Sequence, residues 1–290
     1  MRLHLVDGTY ELFRAYFSHR PEHPSGGRDL KATVGLAESM LTLLADAGER
    51  VTHLAAAFDN PIRSVRNDWF EGYKTEAGVP EDLLAQFDLA EEAMRALGIV
   101  VWSMDRYEAD DALATAAARW CDDVEQVRIF TPDKDLGQSI RGERVVLVDR
   151  MRRRVTGEAE LFDRRGIRPS QVADWLALVG DTADGIPGIE GFGEKTAAAV
   201  LRAFDRIEAI PADPRAWPAA VRGRERLAAT LAAERDAAFL YRKLATLIAD
   251  VPLAESLGDL RWLGAPQGDF ESWCDRHGTG ALAARVPAFA

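Results

Sequence analysis

The chain has 290 residues, of which 47% are hydrophobic and 29% charged, enough to bury a core and to divide into two domains. Its two cysteines, Cys121 and Cys274, are too far apart for a CxxC pair, and no apolar run approaches the roughly 20 residues of a membrane span. The N-terminus Met-Arg-Leu-His-Leu-Val-Asp lacks a basic-then-apolar signal, so no membrane association and a reducing, cytoplasmic setting are expected. A net charge of −11 argues at first against nucleic acid, yet Arg63, Arg66, Lys74, the Arg150 to Arg154 stretch, Lys195, Arg202, Arg222, Arg224 and Arg226 form basic islands. Charge alone leaves the partner undecided.

In chain order, Leu3 to Val6 reads as a strand, Val34 to Ala47 as a helix and Leu54 to Phe58 as a second strand. Pro21 to Gly27 reads as a loop, and Pro61 to Pro80 is polar and longer than a usual connection, as a functional loop or lid would be. Helical period returns at Leu83 to Leu97, a strand at Val100 to Ser103, a helix at Ala109 to Trp120, and strands at Val127 to Thr131 and Val145 to Val148. Such alternation predicts an α/β fold with a mostly parallel central sheet flanked by helices. From about Gln171 alanine-rich helices take over, which predicts an α/β domain over 1–165 and a helical domain over 166–290.

Acids stand at or just beyond predicted strand ends: Asp7, Asp59, and Asp133 with Asp135, while Glu108, Asp110 and Asp111 open the helix after another strand. Ligands of open α/β sheets bind at the carboxyl ends of the strands, so these acids are expected to converge. Any one of them alone also fits a helix cap or turn. Together they would crowd like charges into one crevice, a conflict that bound hard cations remove. Asp181 and Asp184, in Gly-Asp-Thr-Ala-Asp-Gly, could complete a second cluster from the helical half.

The strings Leu5-Val-Asp-Gly8, Phe58-Asp59, Gly72-Tyr-Lys74, Tyr107-Glu-Ala-Asp-Asp111, Thr131-Pro-Asp-Lys-Asp-Leu136 and Leu178 to Thr196 resemble the 5′ nuclease (flap endonuclease) family. Their order and spacing are similar to its bacterial branch of 5′-3′ exonucleases, the nuclease domain at the N-terminus of DNA polymerase I and its stand-alone counterparts. The resemblance covers roughly Arg2 to Pro252 and is carried by several motifs at once, with the stand-alone form expected.

The resemblance implies a PIN-like 5′ nuclease fold with a helical arch over about 61–90 and a helix-hairpin-helix element over about 180–205. It implies that Asp7, Asp59, Glu108, Asp110 and Asp111 hold one ion, and Asp133, Asp135, Asp181 and Asp184 a second, two Mg2+ or Mn2+ ions that together hydrolyse phosphodiesters in branched, nicked or 5′-flapped DNA. Lys74 and Arg66 match basic positions at the arch base that contact the scissile phosphate. Arg14 and Gly35 match family positions suited to contact with DNA, with a surface salt bridge and plain helix packing as live alternatives, while Phe70 and Tyr73 could stack on bases although aromatics at helical spacing are more often core. Gly188, Gly191, Gly193, Lys195 and Thr196 form the turn that presents backbone amides to a DNA phosphate, and main-chain carbonyls there imply a K+ site. A Walker A loop is excluded, since Glu194 separates Gly193 from Lys195. A monomer is the family default, and the family's pathway assignments are replication and repair. Departures from the bacterial pattern are Ala77 and Leu84 where arginines are usual, the added Glu76, and Gly185 where asparagine is common. They keep open a DNA-structure-binding protein with little nuclease activity, while a small-molecule phosphatase would leave the glycine-rich hairpin without a purpose.

Overall fold

The computed structural model describes all 290 residues. In chain order its strands and helices are β1 (Arg2–Asp7), α1 (Gly8–Tyr16), β2 (Pro24–Ser25), β3 (Arg28–Asp29), α2 (Lys31–Leu44), β4 (His53–Asp59), α3 (Arg66–Trp69) and α4 (Glu81–Leu84). There follow α5 (Phe87–Ala96), β5 (Val100–Met104), α6 (Ala109–Trp120), β6 (Gln126–Phe130), β7 (Val145–Asp149), β8 (Arg154–Thr156) and α7 (Glu158–Arg165). The remainder is α8 (Val172–Val179), α9 (Glu194–Phe204), α10 (Arg224–Ala233), α11 (Arg235–Ala245) and α12 (Gln267–His277). Two compact units result, the first comprising Met1–Arg63, Glu76–Thr131 and Ala249–Ala290, the second Ser64–Thr75 and Pro132–Ile248.

In the first unit β5, β4, β1 and β6 lie side by side and all run parallel. Leu3, Leu5, Val6, Ala55, Ala56, Ala57 and Phe58 are fully buried, which is why these strands read as unbroken apolar runs: parallel strands are covered on both faces. Helices α1, α2, α5 and α6 pack in the same unit. Residues 83–90, the end of the arch expected over about 61–90, are anchored there too. Leu83 is fully buried, and the Gln86 amide oxygen accepts from the Thr33 amide at 3.1 Å and from its hydroxyl at 3.2 Å.

Each compact unit is assembled from separate stretches of the chain. Beyond Ala249 the tail packs with the sheet unit: Phe270 and Trp273 are fully buried with stacked rings 6.1 Å apart, and the Trp262 indole donates to the Leu97 carbonyl at 2.9 Å. Conversely, Ser64–Thr75 belongs with the helical unit. There the Lys243 ammonium lies 3.9 Å from the Trp69 ring centroid and Phe70 meets Tyr241 edge to face. The same unit carries α7 to α11 and the antiparallel pair β7–β8, with Val148 opposite Val155.

One ion pair ties two neighbouring strands of the sheet to the loop after α2. Glu49 meets the Arg128 guanidinium at 2.7 and 3.0 Å and the His4 ring at 3.3 Å. Burial opposes its ionisation, but the hydrogen bonds from His4 and Arg128 prevail and lower the carboxyl from 4.5 to about 2. A depressed carboxylate stabilises the fold above its unfolded value and loses that contribution as pH falls through the folded one. Glu49→Gln should therefore lower stability at pH 7, by roughly 1 kcal/mol once solvent screening of this partly hydrated pair is allowed for. It should also flatten the dependence of Tm on pH between about 4.5 and 2, which thermal melts across that window will read.

Candidate metal centre

The first unit aligns five acids along one edge of the sheet. Asp7 ends β1 and caps α1, its carboxylate accepting from the Tyr10 amide at 2.8 Å and the Thr131 hydroxyl at 2.9 Å. Asp7 faces Ala57 in the adjacent strand, so Asp59 lies two residues further along at the same edge, and Asp59 in turn faces Met104. The Asp59 carboxylate accepts from the Ala109 amide at 2.7 Å, fixing the start of α6. Glu108 and Asp111 form a reciprocal capping box there, Asp111 being fully buried and accepting from the Glu108 amide at 3.0 Å. Asp110 is half-buried in the same turn. Caps and strand ends thus coincide, because a parallel strand delivers its carboxyl end to the N-terminus of the next helix.

In the second unit the carboxylates of Asp135, Asp181 and Asp184 approach so closely that one oxygen from each lies within 4.8 Å of the others. Backbone contacts aim them. The Asp133 carboxylate accepts from the Asp135 amide at 2.8 Å, and Asp181 and Ile186 exchange both backbone hydrogen bonds, closing the turn that carries Asp184. Asp135 is buried and its Oδ1 accepts no hydrogen bond. Burial, then Asp133, Asp184 and Asp181, push its carboxyl well above the ordinary range, while Lys134 pulls the other way. Lys134 Nζ contacts Asp181 and lies 3.5 Å from Asp135, and Lys74 Nζ lies 3.0 Å from Asp184. Burial disfavours the Lys134 ammonium, yet Asp135, Asp181 and Asp133 outweigh it and hold its pKa up. A buried oxygen that accepts no hydrogen bond, set among crowded carboxylates with no soft donor nearby, is a set that fits a hard divalent cation.

Lys134 was not singled out from the sequence, although it stands between Asp133 and Asp135. Asn67 was missed as well: it donates to the Lys74 carbonyl at 2.9 Å and accepts from the Ser64 amide at 2.9 Å, folding the segment that ends in Lys74. The Lys74 amide donates to the Asp184 carbonyl at 3.0 Å. At Gly185, with φ +73°, a Cβ would lie 2.1 Å from the Gly72 carbonyl oxygen, so only glycine permits this approach.

Other expected contacts are placed differently. Arg66 is 1% exposed and donates to the Leu244 and Thr246 carbonyls at 2.8 and 2.9 Å. These are orphan carbonyls at the C-terminus of α11, which a buried guanidinium satisfies. Tyr73 is likewise buried, so its ring is not presented for base stacking. Arg14 pairs with buried Glu11 and donates to Ser39 at 3.0 Å, between α1 and α2. Gly35 lets the same two helices meet, since a Cβ there would stand 2.9 Å from the Ala15 Cβ. The glycine-rich turn links α8 to α9: Gly188 and Gly191 have positive φ, Gly193 caps α9 through no side chain, Lys195 is exposed and Thr196 half-buried. The first amides of an 11-residue helix therefore open onto this turn.

A parallel sheet with acids at its carboxyl edge and a helical unit with its own carboxylate cluster define an α/β protein whose acids could hold a cation. Residues 2–167 match the 5′-3′ exonuclease N-terminal resolvase-like domain and residues 167–267 the 5′-3′ exonuclease C-terminal SAM fold. DNA polymerase I of Bacillus caldotenax is 33% identical over 91% of this chain and 30% of its own length, so the chain spans under a third of that relative. A 5′-3′ exonuclease of Aquifex aeolicus is 32% identical over 72% of this chain and 71% of its own. Among solved structures, T5 5′-exonuclease with bound zinc superposes with a TM-score of 0.67 at 19% identity, covering 98% of this chain and all of the other. The catalytic core of Rad2 in complex with a DNA substrate gives 0.63 at 12% identity over 98% and 89%. The chain belongs to the 5′-3′ exonuclease family.

A buried carboxyl held above its ordinary pKa destabilises the fold once ionised, so stability falls as pH rises from its unfolded value toward its folded one. Asp135→Asn should therefore raise Tm in metal-free buffer. It should also shrink the rise that millimolar magnesium gives the wild type, and a differential scanning series with and without metal reads both.

Proposed function

We propose that this chain is a divalent-metal-dependent 5′ nuclease that hydrolyses phosphodiester bonds in 5′-ended or branched DNA. The cluster of Asp135, Asp181 and Asp184, with a buried oxygen that accepts no hydrogen bond, carries the reading. Together with Asp133 it would hold one ion, and Asp7, Asp59, Glu108, Asp110 and Asp111 a second. Their all-oxygen character favours Mg2+ or Mn2+. Bound cations of this kind supply Lewis-acid stabilisation of the charge that develops on the phosphate.

The protein's own groups have separate tasks. Lys74, pinned at its amide and its ammonium by Asp184, would be the cation that meets a non-bridging phosphate oxygen. Arg66 holds the start of that segment against the end of α11 and acts by positioning. The open amides at the start of α9, with Lys195 and Thr196 beside them, grip a DNA phosphate without reading bases, and the carbonyls of the turn are the groups that would hold K+.

A labelled 5′-flap duplex incubated with magnesium or manganese tests the proposal. Wild type should release product only with metal, Asp133→Ala should release almost none, and Lys74→Ala should lose about a hundredfold in kcat. Retention of flap binding with no metal-dependent product from wild type would replace the nuclease reading with a DNA-structure-binding one, a role compatible with Ala77 and Leu84 in place of arginines.

A further inference from the structure

Successive carbonyls at the end of α11, which the helix itself leaves without donors, take side-chain donors from the Lys74 segment and from the turn that carries Asp135. Arg66 serves Leu244 and Thr246. Gln138 serves Ala245 between them, its Nε2 donating at 2.8 Å across 107 positions of sequence. The same nitrogen donates to the Asp135 carbonyl at 3.0 Å, and Gln138 Oε1 accepts from the Leu247 amide at 3.3 Å. All of these residues belong to the second unit.

Gln138 thus engages two donors and an acceptor at once, a combination that only a side-chain amide offers: glutamate lacks the donors, arginine and lysine the acceptor. Asparagine is a methylene shorter. Asp135 is held at both of its backbone groups, the amide by the Asp133 carboxylate at 2.8 Å and the carbonyl by Gln138. Its buried carboxylate, close to those of Asp181 and Asp184, is aimed by that main chain. We propose that Gln138 is a positioning residue for the cation site, tying the turn of Asp135 to the end of α11. Because Arg66 fastens the start of the Lys74 segment to the same helix end, the carboxylates and the lysine are set from one reference point. The inference deepens the nuclease reading and rests on it for the reaction. Groups that orient metal ligands from behind are typically worth about 10- to 100-fold in metal affinity or activity.

Gln138→Met tests it in the full chain, keeping the length of the side chain while removing both donors and the acceptor. Affinity for Mn2+, read from the electron paramagnetic resonance signal of the free ion, should fall about tenfold. At saturating metal, kcat on a 5′-flap duplex should also fall about tenfold, with KM within about twofold of the wild type. The variant should still melt cooperatively, within about 5 °C of the wild type. Unchanged Mn2+ affinity overturns the inference whether or not Tm falls. A rise in KM with Mn2+ affinity and kcat intact overturns it as well, because it marks a grip on DNA. Loss of cooperative melting does the same, by showing that Gln138 holds the fold rather than the site. A wild type that binds Mn2+ but releases no product removes the nuclease reading alone, and the Mn2+ comparison then still decides the role of Gln138.

Discussion

Like charges held together in a poorly hydrated place are the constraint around which the helical unit is built. Carboxylates that meet within 4.8 Å repel unless protonated or neutralised, and Asp135 has its Oδ1 buried with no hydrogen bond. Free energy for the arrangement comes from elsewhere in that unit, where Trp175, Leu176 and Leu178 of α8 and Leu244 of α11 are buried. The two lysines nearest the cluster offset part of the repulsion, and backbone contacts rather than side-chain packing set its geometry. A carboxylate fixed by its own main chain cannot swing away to relieve strain. That rigidity is what a preformed cation site requires.

Much of the sheet could be read from the sequence, for a simple reason. Strands covered on both faces must be continuously apolar, and an acid that ends such a run marks where the strand meets solvent. Leu3 to Val6 followed by Asp7, and Leu54 to Phe58 followed by Asp59, therefore announce both an element and its carboxyl end. The caps at Asp7, Glu108 and Asp111 were legible on the same grounds, as local rules of helix initiation.

Pairings between distant segments were not legible. Nothing in the pattern around Ser64–Thr75 shows that Trp69, Phe70 and Arg66 are partners of Lys243, Tyr241 and the end of α11. Charge misleads in the same way: Arg66 and Arg14 look like phosphate ligands because arginine usually stays in water, and only tertiary structure reveals that one satisfies orphan carbonyls and the other a buried glutamate. The tail is a parallel case, its tryptophans carrying no periodic signal that points to the sheet unit.

Gly185 connects these observations to substrate handling. The resemblance leads one to expect asparagine there and arginines at 77 and 84, and the chain has glycine, alanine and leucine instead. Lack of those two arginines weakens long-range attraction of a polyanion, a term that acts on encounter and is screened by salt. Close approach of Gly185 to Gly72, with both Lys74 contacts to Asp184, restrains the remaining lysine at its backbone and its ammonium. Restraint of that sort acts on alignment, where a cation held at the position of developing charge needs no reorganisation to meet it. On the proposed reading the two departures act on different steps: the chain captures its substrate less through the arch and depends more on the groups that are held in place once the phosphate arrives.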